Sequence, residues 1–169
     1  MRPLNLDDKE VAIQAQHELH NDDFNFLLDP KGPFDEESSW SEYLDRLESA
    51  RLGRDLPEHL VPATFLVAEV DGEIVGRVSI RHELNDWLLQ QGGHIGYGIR
   101  PAFRRRGYAT QICAMGLDFA KSLGIPRALI TCNEGNIGSE MAIKKNGGVF
   151  ESTFVEESGN RISRYWISL

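Results

Sequence analysis

Cysteine is scarce in this 169-residue sequence, which contains only Cys113 and Cys132. The two residues do not form a C-x-x-C pair, and nothing nearby supplies the spacing of a metal site. Both lie in apolar stretches, so we expect small, buried, reduced thiols. A nucleophilic cysteine would need a neighbouring base, and none is visible. The sequence therefore predicts no metal centre and no catalytic thiol.

Long apolar runs are also absent, and none approaches the roughly 18 to 20 residues needed to span a bilayer. Residues 1–20 contain four acidic side chains and no apolar segment typical of a signal peptide. We therefore expect a cytoplasmic protein with no membrane partner. The length suits one domain, so we expect a single domain over residues 1–169.

Positive charge is in the minority, with 18 Lys and Arg against 26 Asp and Glu and a net charge of −8. Wide, non-specific nucleic-acid binding depends on Lys and Arg that neutralise phosphates, so we expect no nucleic-acid partner. Acidic residues are concentrated in the first third of the chain. They form either a solvated surface or a rim that attracts a cationic substrate. These residues are Asp22, Asp23, Asp29, Asp35, Glu36 and Glu37.

The hydrophobic pattern changes from helical to strand periodicity along the chain. Apolar residues recur at helical spacing over residues 7–19 and 39–53, with Asp7 and Ser39 as predicted N-caps. Asp71-Gly72 predicts a hairpin. Further elements are predicted as strands over 64–70, 73–80, 93–99, 127–132, 149–155 and 161–167, and as helices over 108–123 and 137–145.

The order of these elements predicts the fold class. Residues 93–132 form a βαβ unit, whose two strands should be parallel. The hairpins on either side of this unit should be antiparallel. We therefore expect an α/β (α+β) fold with a mixed, mostly antiparallel central sheet and helices on both faces.

The segment between the third strand and the longest helix carries the clearest chemical signal. Pro101 ends the strand, because proline has no N–H to donate. The first N–H groups of the helix lack intrahelical partners, and Gly107 lets an anion approach the backbone. These features predict a phosphate-binding helix N-terminus. The segment contains neither a Walker A loop nor G-x-G-x-x-G spacing. It reads Arg100-Pro101-Ala102-Phe103-Arg104-Arg105-Arg106-Gly107-Tyr108-Ala109-Thr110.

Arg104-x-x-Gly107-x-Ala109 resembles the Q/R-x-x-G-x-G/A motif of the GNAT superfamily of N-acetyltransferases. Asn136-x-x-Ser139, followed by Lys145-x-Gly147, is similar to the segment after the fifth strand of that fold. The order of elements from about residue 64 agrees as well. The resemblance implies a GNAT-like acyl-CoA N-acyltransferase fold. It also implies that the acetyl group of acetyl-CoA, the co-substrate, passes to a primary amine by direct attack.

The resemblance also implies which residues bind acetyl-CoA. Backbone groups of Tyr97, Gly98 and Ile99 would meet the acetyl and pantetheine arm. Asn136 would hydrogen-bond the pantetheine, although it also suits a plain helix N-cap. The motif loop would hold the pyrophosphate, mainly through the backbone N–H groups from 105 to 110. The loop residues are Arg104, Arg105, Arg106, Gly107, Tyr108, Ala109 and Thr110.

The acid–base groups do not follow from the resemblance, because the usual Glu and Tyr positions hold Thr131 and Ile143. We expect Ile143 to have only a packing role. An attacking amine must still lose a proton, directly or through water. Glu83 is our first candidate for the catalytic base, since its carboxylate could act through one water. The alternatives that remain open are His82, His94, Tyr97 and Glu134, and His94 also suits a structural role within the sheet.

Two functions from different classes fit these features. The first is an acetyl-CoA-dependent N-acetyltransferase, and the second is a non-catalytic acyl-CoA-binding module or sensor. Both would use the same loop, and thiol release with a panel of amines would distinguish them. The sequence leaves open the acceptor and the oligomeric state, including a homodimer.

Overall fold

The computed structural model describes residues 1–20, 22 and 24–169, and its elements follow the predicted order. Asp23, one of the acidic residues named above, lies outside the described residues. No helix in this described part is both long and apolar enough to cross a membrane. The helices are α1 (Lys9–His20), α2 (Trp40–Arg51), α3 (Tyr108–Ser122) and α4 (Ile137–Lys145). The strands are β1 (Ala63–Val70), β2 (Glu73–Arg81), β3 (Ile95–Ile99), β4 (Arg127–Asn133), β5 (Val149–Val155) and β6 (Arg161–Ser168).

The first two helices begin at identifiable capping residues. The prediction of Asp7 as the first cap was wrong, because a 3₁₀ turn (Leu6–Asp8) precedes α1. Asn5 caps this turn, and its side chain accepts a hydrogen bond from the Asp7 N–H at 2.8 Å. The Ser39 cap is confirmed, since its hydroxyl accepts a hydrogen bond from the Glu42 N–H at 3.4 Å. The chain therefore enters both helices through side-chain caps.

The strands form two three-stranded antiparallel sheets, in the orders β1-β2-β3 and β4-β6-β5. The predicted parallel partners, β3 and β4, form no ladder within the described residues. A single backbone hydrogen bond joins the two sheets there, from the His94 N–H to the Leu129 carbonyl at 2.7 Å. The fold class is confirmed, and the central sheet is divided into two halves where β3 and β4 separate.

Two hydrophobic cores cover opposite faces of the first sheet. On one face, α3 and α4 contribute Ile112 and Ile143 to a core shared with Val78. On the other face, α1 and α2 contribute Leu19 and Tyr43. Alternation along β1 supports this arrangement, because Leu66 and Ala68 belong to the first core while Phe65 and Val67 belong to the second. Helices thus lie on both faces, as predicted.

The connection from β2 to β3 contains regular structure. It contains a π-helical turn, Leu88–Gly92, which directly precedes β3. The Thr131 hydroxyl donates a hydrogen bond to the carbonyl of Gln91 at 2.7 Å and so ties this turn to β4. Thr131 therefore has a structural role beside the point where the two sheets separate.

Candidate functional site

The arginine-rich loop turns sharply between β3 and α3. A 3₁₀ turn (Pro101–Phe103) follows the strand, and α3 begins at Tyr108. Two residues in the turn have left-handed backbone conformations, with φ of 65° at Arg105 and 85° at Gly107. Gly107 is the N-cap of α3 and has no side-chain cap. The loop therefore presents its backbone, rather than a capping side chain, at the start of the helix.

The backbone N–H groups of this loop are largely unpaired. Arg104 donates to the Pro101 carbonyl at 3.3 Å, and Thr110 donates to the Gly107 carbonyl at 3.1 Å. Between them, the five consecutive N–H groups of residues 105–109 have no acceptor in the described part of the chain. A Cβ at Gly107 would have no atom within 4 Å. These observations fit an anion such as a pyrophosphate, bound by backbone N–H groups at the positive end of α3.

The three arginines of the loop have different surroundings. The Arg104 guanidinium is paired with Asp22, and its Nε donates to the Ile99 carbonyl at 3.1 Å. Arg106 lies over the Phe103 ring, with 5.6 Å from Cζ to the ring centroid. Neither Arg105 nor Arg106 forms a salt bridge within the described residues. Two exposed positive charges thus flank the unpaired N–H groups, while Arg104 braces the loop against the start of the chain.

Ser139, in the first turn of α4, links Tyr97 of β3 to Asn136. The Tyr97 hydroxyl lies 3.3 Å from the Ser139 carbonyl and 3.2 Å from the Ser139 Oγ. Asn136 is the N-cap of α4, and its Oδ1 accepts a hydrogen bond from the Ser139 N–H at 3.1 Å. Sequence reasoning missed the link between Tyr97 and Ser139, because these residues are 42 positions apart.

Burial keeps the Tyr97 hydroxyl in its neutral form. Burial raises the pKa of Tyr97 above its ordinary value, and the hydrogen bond to Ser139 only partly opposes this. The group therefore remains protonated at neutral pH. Gly98 follows Tyr97 on β3, and a Cβ there would overlap the Phe24 ring. This close approach explains why the strand contains glycine at that position.

His94 is a structural residue at the junction of the two sheets. Its Nδ1 accepts a hydrogen bond from the Leu129 N–H at 2.9 Å, beside the backbone bond from its own N–H to the Leu129 carbonyl. Burial, together with the nearby Arg81 guanidinium, lowers the pKa of His94 to about 4. A neutral imidazole with Nδ1 already engaged is a poor base at neutral pH. The structural alternative for His94 is therefore the better supported one.

The other acid–base candidates are dispersed. Glu83 is exposed just after β2 and has no hydrogen bond or salt bridge within the described residues. His82 Nε2 lies 2.8 Å from the Thr64 hydroxyl, and burial lowers the pKa of His82. Glu134 is paired with Arg161 at 2.5 Å. Ile143 is fully buried in the first core, which confirms its packing role.

The two cysteines are free thiols, as predicted. Burial raises the pKa of Cys113 to about 12 and that of Cys132 to about 11. Neither group is therefore a thiolate at neutral pH, and neither is suited to act as a nucleophile. The described residues contain no group of three or more His, Cys, Asp or Glu side chains that could hold a metal ion.

A cavity of about 720 Å³ lies on the α2 side of the first sheet. It is bordered by residues 25–34, by α2 and by the ends of β1 and β2. Most of its lining is apolar and includes Leu27, Phe34, Phe65 and Leu88. Asp29 is the one carboxylate among the described residues that line it, and Arg81 supplies a guanidinium. Glu83 does not line this cavity.

The chain is similar to known proteins in both sequence family and structure. A family model described as "Acetyltransferase (GNAT) domain" matches residues 1–149. No curated protein matches the chain. Three solved structures have the same fold as this chain. Their sequence identities to it are low, so the similarity shows the fold alone. They are a probable acetyltransferase (17% identity, 99% of this chain and 91% of that chain, TM-score 0.74), a ribosomal L7/L12 alpha-N-protein acetyltransferase in complex with coenzyme A (15%, 99% and 92%, 0.71) and a mutant spermidine N-acetyltransferase from Vibrio cholerae (19%, 99% and 93%, 0.67).

Proposed function

The chain belongs to the acetyltransferase (GNAT) domain family, and on this premise we propose that it transfers the acetyl group of acetyl-CoA to a primary amine by direct attack. In this reaction the amine nitrogen bonds to the acetyl carbonyl carbon, the thioester bond breaks and coenzyme A leaves as its thiol. The nitrogen loses a proton, and the thiolate gains one. No covalent acetyl-enzyme is needed, which agrees with the raised pKa of both cysteines.

One observation carries this proposal, namely the five consecutive unpaired N–H groups at the start of α3. Residues 105–109 would hold the pyrophosphate through these groups, with Arg105 and Arg106 adding positive charge. The hydroxyl of Thr110 and the side chain of Arg104 belong to the same loop and would have a secondary role in binding the pyrophosphate. Arg104 would reach a phosphate only after leaving Asp22, to which it is paired.

The pantetheine arm would lie between β3 and α4. Backbone groups of Tyr97, Gly98 and Ile99 would border it on one side. Asn136 would border it on the other, because its Oδ1 is engaged with Ser139 while its amide nitrogen has no partner among the described residues. That nitrogen could donate to a pantetheine carbonyl. The N-cap and cofactor roles of Asn136 are therefore compatible.

Glu83 remains our proposed base for the amine proton. Its carboxylate is exposed at the end of β2, next in sequence to His82. Because Glu83 does not line the cavity, it would act through water rather than by direct contact with the amine. The burial of His94, the pairing of Glu134 and the structural hydrogen bond of Thr131 all favour Glu83 over those alternatives.

The proposal is tested by following thiol release from acetyl-CoA with a panel of primary amines. An acetyltransferase releases coenzyme A in proportion to the amine added and yields the N-acetyl product in equal amount. A non-catalytic acyl-CoA-binding module would bind acetyl-CoA in calorimetry but release no thiol above the rate without protein. The second result would overturn the proposed activity while leaving the cofactor site intact.

A further inference from the structure

Arg81 differs from Arg2, Arg46 and Arg100 because no carboxylate among the described residues pairs with it. Arg2, Arg46 and Arg100 each pair with an acidic side chain, at 2.6, 2.5 and 2.7 Å respectively. Arg81 has no such partner among the described residues, and its one hydrogen bond is a long contact of 3.4 Å from Nη1 to the Gly92 carbonyl. A guanidinium has five N–H donors, so most donors of Arg81 are unused.

Arg77 also lacks a carboxylate partner among the described residues, but its position is different. Its Nη1 and Nη2 donate to the carbonyls of Gly96 and Asn25 at 3.1 and 2.6 Å, and its guanidinium stacks over the Phe24 ring at 4.2 Å. Arg77 does not line the cavity, whereas Arg81 does. Backbone and aromatic contacts therefore occupy Arg77, while Arg81 faces open space.

Among the described lining residues, Arg81 is a positive charge without a carboxylate partner. The carboxylate of the lining, Asp29, accepts hydrogen bonds from Arg46 at 2.5, 3.0 and 3.1 Å and is neutralised by that residue. Burial lowers the pKa of Arg81 to about 10, which leaves the group protonated at neutral pH. A charge in largely apolar surroundings is costly without a partner. A ligand with an anionic group would supply the missing partner.

Arg81 also lies close to the strand where the acetyl group is expected. Its Nη1 is 3.0 Å from the position that a Cβ of Gly96 would occupy. Gly96 and Gly98 are two residues apart on β3, which corresponds to about 7 Å along a strand. An anion held by Arg81 would therefore lie beside the segment that begins at Tyr97. A ligand amine within one or two bonds of that anion would be near the thioester.

We propose that the acceptor is an α-amino acid with an apolar or aromatic side chain, whose carboxylate pairs with Arg81 and whose side chain fills the apolar cavity. This inference rests on the proposed acetyltransferase function and names its substrate class. The volume of about 720 Å³ lies within the usual range of roughly 300–1,000 Å³ for small-molecule sites. The apolar lining accounts for the side chain, and Arg81 accounts for the carboxylate.

A polycationic acceptor does not fit this cavity. It would bring further positive charge to Arg81, and the one carboxylate in the described lining is already paired. The hypothesis of an acidic rim also loses support, because Asp22 and Asp29 pair with Arg104 and Arg46. Asp35 is engaged with its own loop, since its carboxylate accepts the Glu37 N–H at 3.0 Å.

The first test uses the unmodified protein and three acceptors that share one aromatic side chain. They are phenylalanine, its methyl ester and phenethylamine, which lacks the carboxyl group. Thiol release from acetyl-CoA is measured at equal concentrations of the free amine form. We expect kcat/KM for phenylalanine to exceed that for the other two by roughly 10²-fold, the scale of a charge pair lost from a buried site. Equal values for all three acceptors would overturn the inference.

The second test replaces Arg81 by Met, with Arg127→Met as the matched control. Arg127 is exposed at the start of β4, over the Trp166 ring. Arg81→Met should reduce the ratio of kcat/KM for phenylalanine to that for phenethylamine roughly 10²-fold, whereas Arg127→Met should leave this ratio unchanged. A preference for phenylalanine that survives in Arg81→Met contradicts the inference. If the protein acetylates amines without preferring phenylalanine, the proposed acetyltransferase function stands and only the acceptor class is wrong. If it acetylates none of the amines, both the proposed function and the acceptor class are wrong.

Discussion

The route by which the attacking amine loses its proton depends on a few individual residues. Thr131 and Ile143 occupy the positions where the family resemblance would place a base and an acid, and both have structural roles here. The hydroxyl of Tyr97 contacts Ser139 of α4 and stays protonated, because burial raises its pKa. Glu83 is the exposed carboxylate proposed to act through water.

Replacement of Glu83 by Gln tests this assignment. The change keeps the shape of the side chain but removes the proton acceptor, so turnover should fall by about 10²–10⁴-fold. Affinity for acetyl-CoA should stay the same, because the loop before α3 is untouched. Asp86→Asn removes an exposed carboxylate from the same connection and serves as the control, with turnover expected to remain normal. Normal turnover in Glu83→Gln would remove Glu83 from the mechanism.

Helix α3 shows how one element creates a site at its end. Its N-cap is a glycine with φ of 85°, and no side chain occupies the space before the first turn. The C-terminal end of the same helix is followed by Gly124, which has φ of 82° and no atom within 4 Å of the position that a Cβ would occupy. The two glycines therefore have similar backbone conformations but lie at opposite ends of the helix dipole.

The pair Gly107→Ala and Gly124→Ala separates backbone strain from phosphate binding. Each variant places Cβ in the left-handed region, so each should lower the free energy of unfolding by about 1–2 kcal/mol. Only Gly107→Ala puts a methyl group where the pyrophosphate is expected, and its affinity for coenzyme A should fall at least about tenfold. Calorimetry with coenzyme A measures this. Equal affinities in the two variants would contradict the assignment of the loop.

At the scale of the whole molecule, His94 links the two sheets and makes the link sensitive to pH. Burial and Arg81 lower its pKa to about 4, from an ordinary value of 6.5. The unfolded chain therefore takes up a proton at this residue before the folded chain does. The stability contributed by neutral His94 is fully present above pH 6.5 and is lost as the pH falls towards 4.

We expect this loss to be about 3 kcal/mol, since each unit of pKa shift corresponds to about 1.4 kcal/mol. His94→Asn keeps an acceptor for the Leu129 N–H but removes the titrating group. Urea unfolding at about pH 7 and about pH 4.5 should show a smaller loss of stability in the variant than in the unmodified protein. Asp8 and Glu18 also change the stability in the acid range, because Arg2 and Arg100 lower their pKa values. These contributions are present in both proteins and therefore cancel in the comparison. Identical pH dependence would exclude His94 as the source.

The sequence by itself determined the features that are local in the chain. Element order, the Ser39 and Asn136 caps and the turn into α3 all depend on neighbouring residues, so periodicity and capping rules were sufficient. The burial of Ile143 followed from its apolar character and its place in the last helix.

Only the tertiary structure decided which distant residues meet. Where the two sheets meet, the hydrogen bond from Leu129 to His94 joins residues 35 positions apart, and the bond from Tyr97 to Ser139 spans 42. The pairing of acids with Arg46, Arg100 and Arg104 was equally hidden, because charge along a sequence does not reveal its partner in space. For the same reason, the sequence did not reveal the role of Arg81, which faces a cavity and has no carboxylate beside it among the described residues.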